Sequence, residues 1–183
     1  MINRRQIFST GAKALAGGAA VLSFPHIARA DVLAASEKRL SFFNTHTSEK
    51  TRSLFWADGQ PIAEGLKEID HILRDWRTGD VEVMDRDLLD LLHGLTAKVG
   101  RAEEELHIIS GYRSPKTNNM LRSQSSGVAK KSLHQQGKAI DIRLPGTELP
   151  KLRNAAMAMK AGGVGYYESS QFIHVDTGRV RYW

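Results

Sequence analysis

The sequence has 183 residues, a formal net charge of +6, a pI of about 9.7 and no cysteine. The length predicts one domain with a buried core. Four basic residues and no acids lie in residues 1–30, which leaves 22 basic against 20 acidic residues in the remainder. A nearly neutral domain has no large basic field, so we expect no nucleic-acid partner. Disulfides, thiolate metal ligands and a cysteine nucleophile are excluded.

Residues 1–30 have the pattern of an export signal. Arg4 and Arg5 precede an apolar run rich in glycine and alanine over residues 11–24, and residues 28–30 supply the small side chains that a signal peptidase needs. The layout resembles a twin-arginine signal, with a plain Sec signal or an uncleaved anchor as alternatives. The run is short for ~30 Å of hydrocarbon. We therefore expect cleavage after residue 30, a periplasmic location and no stable membrane insertion of the mature chain.

The predicted mature chain is residues 31–183. Its first half alternates between strand and helix patterns. Residues 39–46 and 51–56 are rich in Phe, Leu and Thr and are separated by a polar turn, which predicts a β-hairpin. Apolar residues then recur at helical spacing from residue 62 to residue 76. Asp85 is suited to cap a second helix, which has a leucine-rich face.

The second half continues the mixed pattern. The predicted strands are residues 106–112, 138–144, 164–167 and 172–176, and the predicted helices are 115–122 and 148–160. Proline at residue 115 is suited to a first helical turn, and residues 124–136 read as a polar loop. The whole pattern predicts an α+β single domain, with a small antiparallel sheet flanked by helices.

The first segment that carries chemistry runs from Ser132 to Asp141. Ser132, His134, Gly137, Ala139 and Asp141 all fit one template, which by chance would match a chain of this length on the order of once in ten thousand. Glycine permits a tight turn after the histidine. Successive side chains of a strand point to opposite faces, so Asp141 and Ala139 share one face and the isoleucines lie on the other. The small Ala139 beside Asp141 leaves space for an ion.

The second segment is residues 172–176, where alternation puts His174 and Asp176 on one face of a strand. A catalytic zinc commonly takes three protein ligands and keeps a fourth position for water. His134, Asp141 and His174 supply two imidazoles and one carboxylate, a set that suits Zn²⁺ without cysteine. We therefore predict one zinc ion per chain. The alternative is two surface histidines and a capping aspartate.

The third segment is residues 109–114. Arg113 follows an apolar strand at its mouth, where a fixed guanidinium can grip a carboxylate or a developing oxyanion. The alternative is a surface arginine after a turn.

Taken together, the motif from Ser110 to Ser114, the template from Ser132 to Asp141 and the late His174 resemble the zinc D-Ala-D-Ala peptidases. Their fold is shared with lysostaphin-type enzymes and the hedgehog signalling domain. Residues 127–132, 161–167 and 174–178 are similar to the MepK-like branch of murein endopeptidases, and the likeness covers nearly the whole chain.

This resemblance implies a function for the residues that match. It implies that His134, Asp141 and His174 bind zinc and that Arg113 contacts substrate. The implied substrate is peptidoglycan cross-linked through meso-diaminopimelate, either from D-Ala to diaminopimelate or between two diaminopimelates. The implied reaction is metal-assisted hydrolysis, in which Arg113 and zinc together stabilise the tetrahedral oxyanion.

One position departs from the wider family. Many of those peptidases carry Glu or Asp, as general base, three residues before the last zinc ligand, but here that position is Gln171. A neutral amide cannot accept the proton. Asp176 is our substitute, either as the base or as the residue that orients a ligand imidazole. Glu168 is a third candidate for the base.

Other features of the sequence leave alternatives open. The glycines of residues 161–165 suggest a flexible edge for an extended peptide, lined by Tyr166 and Tyr167, although both tyrosines also suit the core. A D,D-carboxypeptidase that trims terminal D-Ala is one alternative function. A non-catalytic, zinc-containing peptidoglycan-binding protein is the other, and Gln171 favours it. The sequence is silent on any protein that regulates the chain.

Overall fold

The computed structural model describes residues 37–125 and 127–183, so the predicted export signal lies outside the described residues. The α+β fold is confirmed, as one mixed sheet with helices. The strands are β1 (Lys38–Asn44), β2 (Lys50–Ala57), β3 (Gln60–Pro61), β4 (Glu105–Ser110), β5 (Ala139–Arg143), β6 (Gly163–Tyr167), β7 (Phe172–Asp176) and β8 (Arg181–Tyr182). The helices are α1 (Ala63–Ile72), α2 (Arg86–Lys98), α3 (Pro115–Gln124), α4 (Leu149–Met159) and a 3₁₀ helix, Leu133–Gln136.

The sheet is larger than the small antiparallel one predicted. Its strand order within the described part of the chain is β3-β2-β1-β4-β5-β7-β6-β8. The pairs β1–β4 and β6–β8 are parallel, which makes the sheet mixed. The two-residue strands β3 and β8 were not predicted, because an alternation of apolar and polar residues can be recognised only over several residues.

The predicted helix starts are confirmed, but the end of the first helix is not. The side chain of Asp85 accepts a hydrogen bond from the Asp87 amide, and that of Ser114 accepts one from the Thr117 amide. Helix α1 stops at Ile72, before the predicted end near residue 76. The chain instead turns at Asp75, whose carbonyl accepts from the amides of residues 78 and 79.

The apolar core lies on one face of the sheet. Helix α2 packs against β1 and α4, and α4 also packs against β6 and β7. Ile140 and Ile142 of β5 and Ile173 and Val175 of β7 are fully buried in this core, as alternation predicted. Their neighbours Asp141 and His174 therefore project from the opposite face. Among the described residues, no helix is long and apolar enough to cross a bilayer.

Asp75 ties the turn after α1 to the start of α3. Its Oδ2 accepts from the Ser114 amide at 2.9 Å and from the Ser114 hydroxyl at 2.7 Å, and its Oδ1 accepts from the Arg77 amide at 3.0 Å. Burial raises the pKa of Asp75, but hydrogen bonds from Thr117, Ser114 and Arg77 outweigh burial and hold the pKa below its usual value. The ionised carboxylate is thus the form that stabilises the fold.

Replacing Asp75 by Ala is expected to lower the free energy of unfolding by about 1–3 kcal/mol at pH 7, because the buried Ser114 donors lose their acceptor. A lowered folded-state pKa contributes stability that is complete above the unfolded pKa, ~3.9, and is lost as the pH falls below it. Urea unfolding at pH 7 and pH 3 should therefore show a smaller difference from wild type at pH 3.

The exposed Asp90 provides a control, since Asp90→Ala should change stability little at either pH. An Asp75→Ala effect of equal size at both pH values would contradict the account.

Candidate active site

Three elements bring the predicted metal ligands together. Strands β5 and β7 pair so that Asp141 lies directly opposite His174. His134 lies in the 3₁₀ helix, and its amide donates to the Ser132 side chain, which caps the start of that helix. The helix ends at Gly137 with φ +64°, and a Cβ there would come within 2.6 Å of the Val83 carbonyl oxygen, so only glycine fits. All three ligand side chains are buried.

Their ligand atoms form a compact triangle. His134 Nε2 lies 3.2 Å from His174 Nδ1, His174 Nδ1 lies 2.9 Å from Asp141 Oδ1, and His134 Nε2 lies 3.3 Å from the same oxygen. A tetrahedral zinc with bonds of about 2.0–2.1 Å holds its ligand atoms roughly 3.3 Å apart. The triangle therefore has the dimensions and the donor set that fit zinc.

The remaining ring nitrogens are held by hydrogen bonds that orient both imidazoles. His134 Nδ1 lies 2.8 Å from the Gly111 carbonyl oxygen, to which it donates. His174 Nε2 lies 2.8 Å from Asp176 Oδ2. With protons on these nitrogens, the lone pairs of His134 Nε2 and His174 Nδ1 face the shared point of the triangle.

Burial and the close charges set the protonation of the cluster. Burial lowers the pKa of His134, which favours the neutral ring that binds a metal. Burial alone raises the pKa of Asp141, but the charges and hydrogen bonds of His134 and His174 outweigh it and hold that pKa far below its usual range. For His174, burial lowers the pKa, but hydrogen bonds to Asp141 and Asp176 outweigh it and raise the pKa overall. A bound cation therefore competes with a proton at His174.

Arg113 is fixed at the edge of the triangle rather than free at the surface. Its amide donates to the His134 carbonyl at 3.1 Å, its Nε donates to Ser110 Oγ at 2.9 Å, and its Nη2 donates to Asp141 Oδ2 at 2.9 Å. Only 12% of the side chain is exposed. Within residues 37–125 and 127–183, Nη1 has no hydrogen-bond partner, so this N–H is available to a ligand.

Asp176 is fully buried and surrounded by donors. Besides His174, its carboxylate accepts from the amides of Gly163 and Gly178 at 3.0 and 2.8 Å and from the Arg181 guanidinium at 2.7 and 3.1 Å. Burial raises the pKa of Asp176, but the hydrogen bonds from His174, Arg181 and the two amides outweigh it and hold the pKa far below its usual range. Of the two roles predicted, this geometry favours orienting His174.

The remaining candidate for the general base, Glu168, is exposed in the turn between β6 and β7 and does not line the cleft over the triangle. Gln171, which stands at the position of the usual carboxylate, lies in the same turn, where its side-chain amide donates to the Glu168 carbonyl oxygen. Gln171 borders a separate depression beside residues 143–149. Among the described residues that line the cleft over the triangle, Asp141 is the one carboxylate.

That cleft has a volume of about 300 Å³ and a cationic and aromatic lining. The charged and aromatic side chains that line it, apart from the triangle, are Arg113, Lys131, Arg181, Tyr167, Phe172 and Trp183. The sequence singled out Arg113 and Tyr167 from this group, and strand alternation also puts Phe172 on the face of His174. The contributions of Lys131, Arg181 and Trp183 were missed, since no local motif connects them to the ligands.

The structure separates the two tyrosines. Tyr166 pairs with the core residue Ile173 in β7, and its ring lies 4.6 Å from the Arg153 guanidinium on the helix side of the sheet. Tyr166 therefore does not line the cleft, and Tyr167 does. The glycines also differ from the flexible edge predicted, because Gly163 and Gly165 are buried within β6.

Fold and site together define a single-domain α+β protein with a cleft on the face of its sheet, where two histidines and one aspartate are grouped so that they could hold a metal ion. A family model described as peptidoglycan L,D-endopeptidase MepK matches residues 32–183, and the chain belongs to this family. The peptidoglycan L,D-endopeptidase MepK of Escherichia coli K12 is 41% identical over 181 residues, covering 99% of this chain and 97% of the relative. The probable MepK of Haemophilus influenzae is 41% identical over 186 residues, covering 99% and 95%. The resemblance drawn from the sequence is confirmed.

Replacing Asp176 by Ala is expected to weaken zinc binding about 10- to 100-fold, because His174 loses the acceptor that orients its ring. Competition with a chelating dye measures the affinity. Asp90→Ala is the matched control, since Asp90 is an exposed carboxylate on α2 that pairs with Lys38. If Asp176→Ala instead abolished turnover at unchanged zinc affinity, the role of general base would stand and the orienting role would not.

Proposed function

We propose that this chain is a zinc-dependent murein endopeptidase that hydrolyses peptide cross-links of peptidoglycan. The observation that carries the proposal is the buried triangle of two imidazole nitrogens and one carboxylate oxygen at the floor of a cationic cleft. Membership of the MepK family supports peptidoglycan as the substrate.

The names of the relatives favour one of the two cross-links. They are L,D-endopeptidases, a term for cleavage between an L centre and a D centre. A link between two diaminopimelates joins the carbonyl of an L centre to the amine of a D centre, whereas the link from D-Ala to diaminopimelate joins two D centres. We therefore propose the diaminopimelate–diaminopimelate bond as the preferred substrate.

The residues present define the roles in hydrolysis. Zinc held by His134, Asp141 and His174 would supply a Lewis acid and a water nucleophile at neutral pH. Arg113, fixed by Ser110 and Asp141, places its free N–H and its charge where they stabilise negative charge on the scissile carbonyl oxygen.

Proton transfer has no free carboxylate to use within the described part of the cleft. Asp141 is the one carboxylate lining it; its Oδ1 is a corner of the triangle and its Oδ2 accepts a hydrogen bond from Arg113. Asp176 keeps the proton on His174 Nε2, so that the lone pair of Nδ1 stays available to bind the metal. We propose that water in the open cleft accepts the proton that the attacking water loses and delivers a proton to the leaving amine.

Incubation of diaminopimelate-type peptidoglycan with the zinc-loaded full chain is expected to lower dimeric muropeptides and raise monomers, as followed by chromatography. His134→Ala should abolish the change, because one corner of the triangle is lost. Arg113→Lys in the same assay should slow it about 10²-fold with zinc retained, since lysine cannot hold Ser110 and Asp141 together.

The products separate the alternatives. Loss of diaminopimelate–diaminopimelate dimers supports the proposed bond, and loss of D-Ala–diaminopimelate dimers alone would contradict it. Monomers that only become one residue shorter would identify a D,D-carboxypeptidase.

A second candidate function is supported by the missing free carboxylate. A non-catalytic protein with this cleft would bind zinc and peptidoglycan and release nothing. Zinc bound at one ion per chain, with no change in muropeptides, would favour that function over the endopeptidase.

We propose further that residues 1–30 direct export to the periplasm by the twin-arginine route, with cleavage after Ala30. The arginine pair and the small residues at positions 28 and 30 support this. An N-terminal sequence of the exported protein beginning at Asp31 is the expected observation, and an intact signal would contradict it.

A further inference from the structure

The cleft has one wall that neither the sequence nor the metal triangle explains. Trp183 follows β8 and lines the cleft, and its indole ring lies 5.2 Å from the His174 ring. Half of the residue, 51%, is exposed. A large exposed aromatic side chain beside a reactive centre is a typical binding surface.

Hydrogen bonds hold Trp183 in place on β6. Its amide donates to the Val164 carbonyl at 3.3 Å, and its carbonyl accepts from the Tyr166 amide at 2.9 Å. The indole Nε1 donates to the Tyr167 hydroxyl at 3.0 Å. The Arg181 guanidinium lies 4.9 Å from the ring centroid, within cation–π range. The exposed ring is therefore held in one orientation before any ligand arrives.

Two glycines of β6 make this arrangement possible. A Cβ at Gly165 would come within 2.7 Å of the indole ring of Trp183. A Cβ at Gly163 would come within 2.5 Å of Arg181 Nη1 and 2.6 Å of Asp176 Oδ2. The side chains of Arg181 and Trp183 thus lie over Gly163 and Gly165, and the absence of a Cβ at these two positions leaves room for the indole beside the cleft.

Strand order places Trp183 across the triangle from Arg113. Arg113 follows β4, the ligands Asp141 and His174 lie on β5 and β7, and Trp183 lies beyond them beside β6. A peptide that crosses these strands with its scissile carbonyl at Arg113 and the triangle reaches the indole. Lys131 also lines the cleft and provides a cation there.

We propose that Trp183 is a specificity-determining residue whose indole face packs against the aliphatic side chain of the diaminopimelate that supplies the scissile carbonyl. That side chain is three methylenes ending in a carbon that carries an ammonium and a carboxylate. Methylenes suit the apolar ring, and the cationic lining suits the carboxylate. This inference rests on the proposed function and adds the group that recognises the substrate.

The test is the split between KM and kcat for the zinc-loaded full chain on purified diaminopimelate–diaminopimelate muropeptide dimers. Trp183→Ala is expected to raise KM about 10-fold, with kcat within about 3-fold of wild type and zinc content unchanged. Tyr182→Ala is the matched control, because Tyr182 is the adjacent exposed aromatic but its hydroxyl donates to the Met157 carbonyl on the helix side. The control should keep the wild-type KM.

A wild-type KM in Trp183→Ala overturns the inference, as does a loss of zinc or kcat without a change in KM, which would indicate a merely structural role. Should Trp183→Ala fail to fold, Trp183→Leu keeps an apolar contact over Gly165 without the flat ring, and the same criteria apply to its KM.

If wild type cleaves the dimers and the variants match it, the inference alone fails. If wild type cleaves nothing, the proposed function fails with it.

Discussion

The antiparallel register of β5 and β7 is the constraint on which the site depends. It sets Asp141 opposite His174 on the face away from the core. Because side chains alternate, a slip of one residue in either strand would turn its ligand into the core. The register is specified by the fully buried Ile140 and Val175, which pair in the same ladder. Apolar burial on one face thus determines the geometry of Asp141 and His174 on the other.

The polar face is stable because its buried charges form a continuous chain. Polar contacts of 2.7–2.9 Å link, in this order, Arg113, Asp141, His174, Asp176 and Arg181. An unpaired buried carboxylate is costly, but here each one is bonded to an arginine on one side and an imidazole on the other. Such a satisfied network holds its members in one geometry. It also leaves neither carboxylate free to act as a mobile base.

The sequence by itself determined the features that depend on local pattern. The helix caps at Asp85 and Ser114 were predictable because capping uses a side chain and amides two or three residues away. The grouping of His134, Asp141 and His174 was predictable because the motif places His134 just before β5 and strand alternation puts Asp141 and His174 on the face away from the core. The α+β class followed from the change between the two periodicities along the chain.

Tertiary structure alone decided what depends on residues distant in sequence. The cleft is lined by Tyr167 and not Tyr166 because the pairing of β6 with β7 selects the face, which no local pattern shows. The orienting geometry of Asp176 depends on Arg181, and the aromatic wall depends on Trp183 lying over Gly165. These contacts arise where β8 joins β6 in parallel, after the chain has passed through β7. Sequence periodicity reports which face of an element is buried, and only folding decides which element covers it.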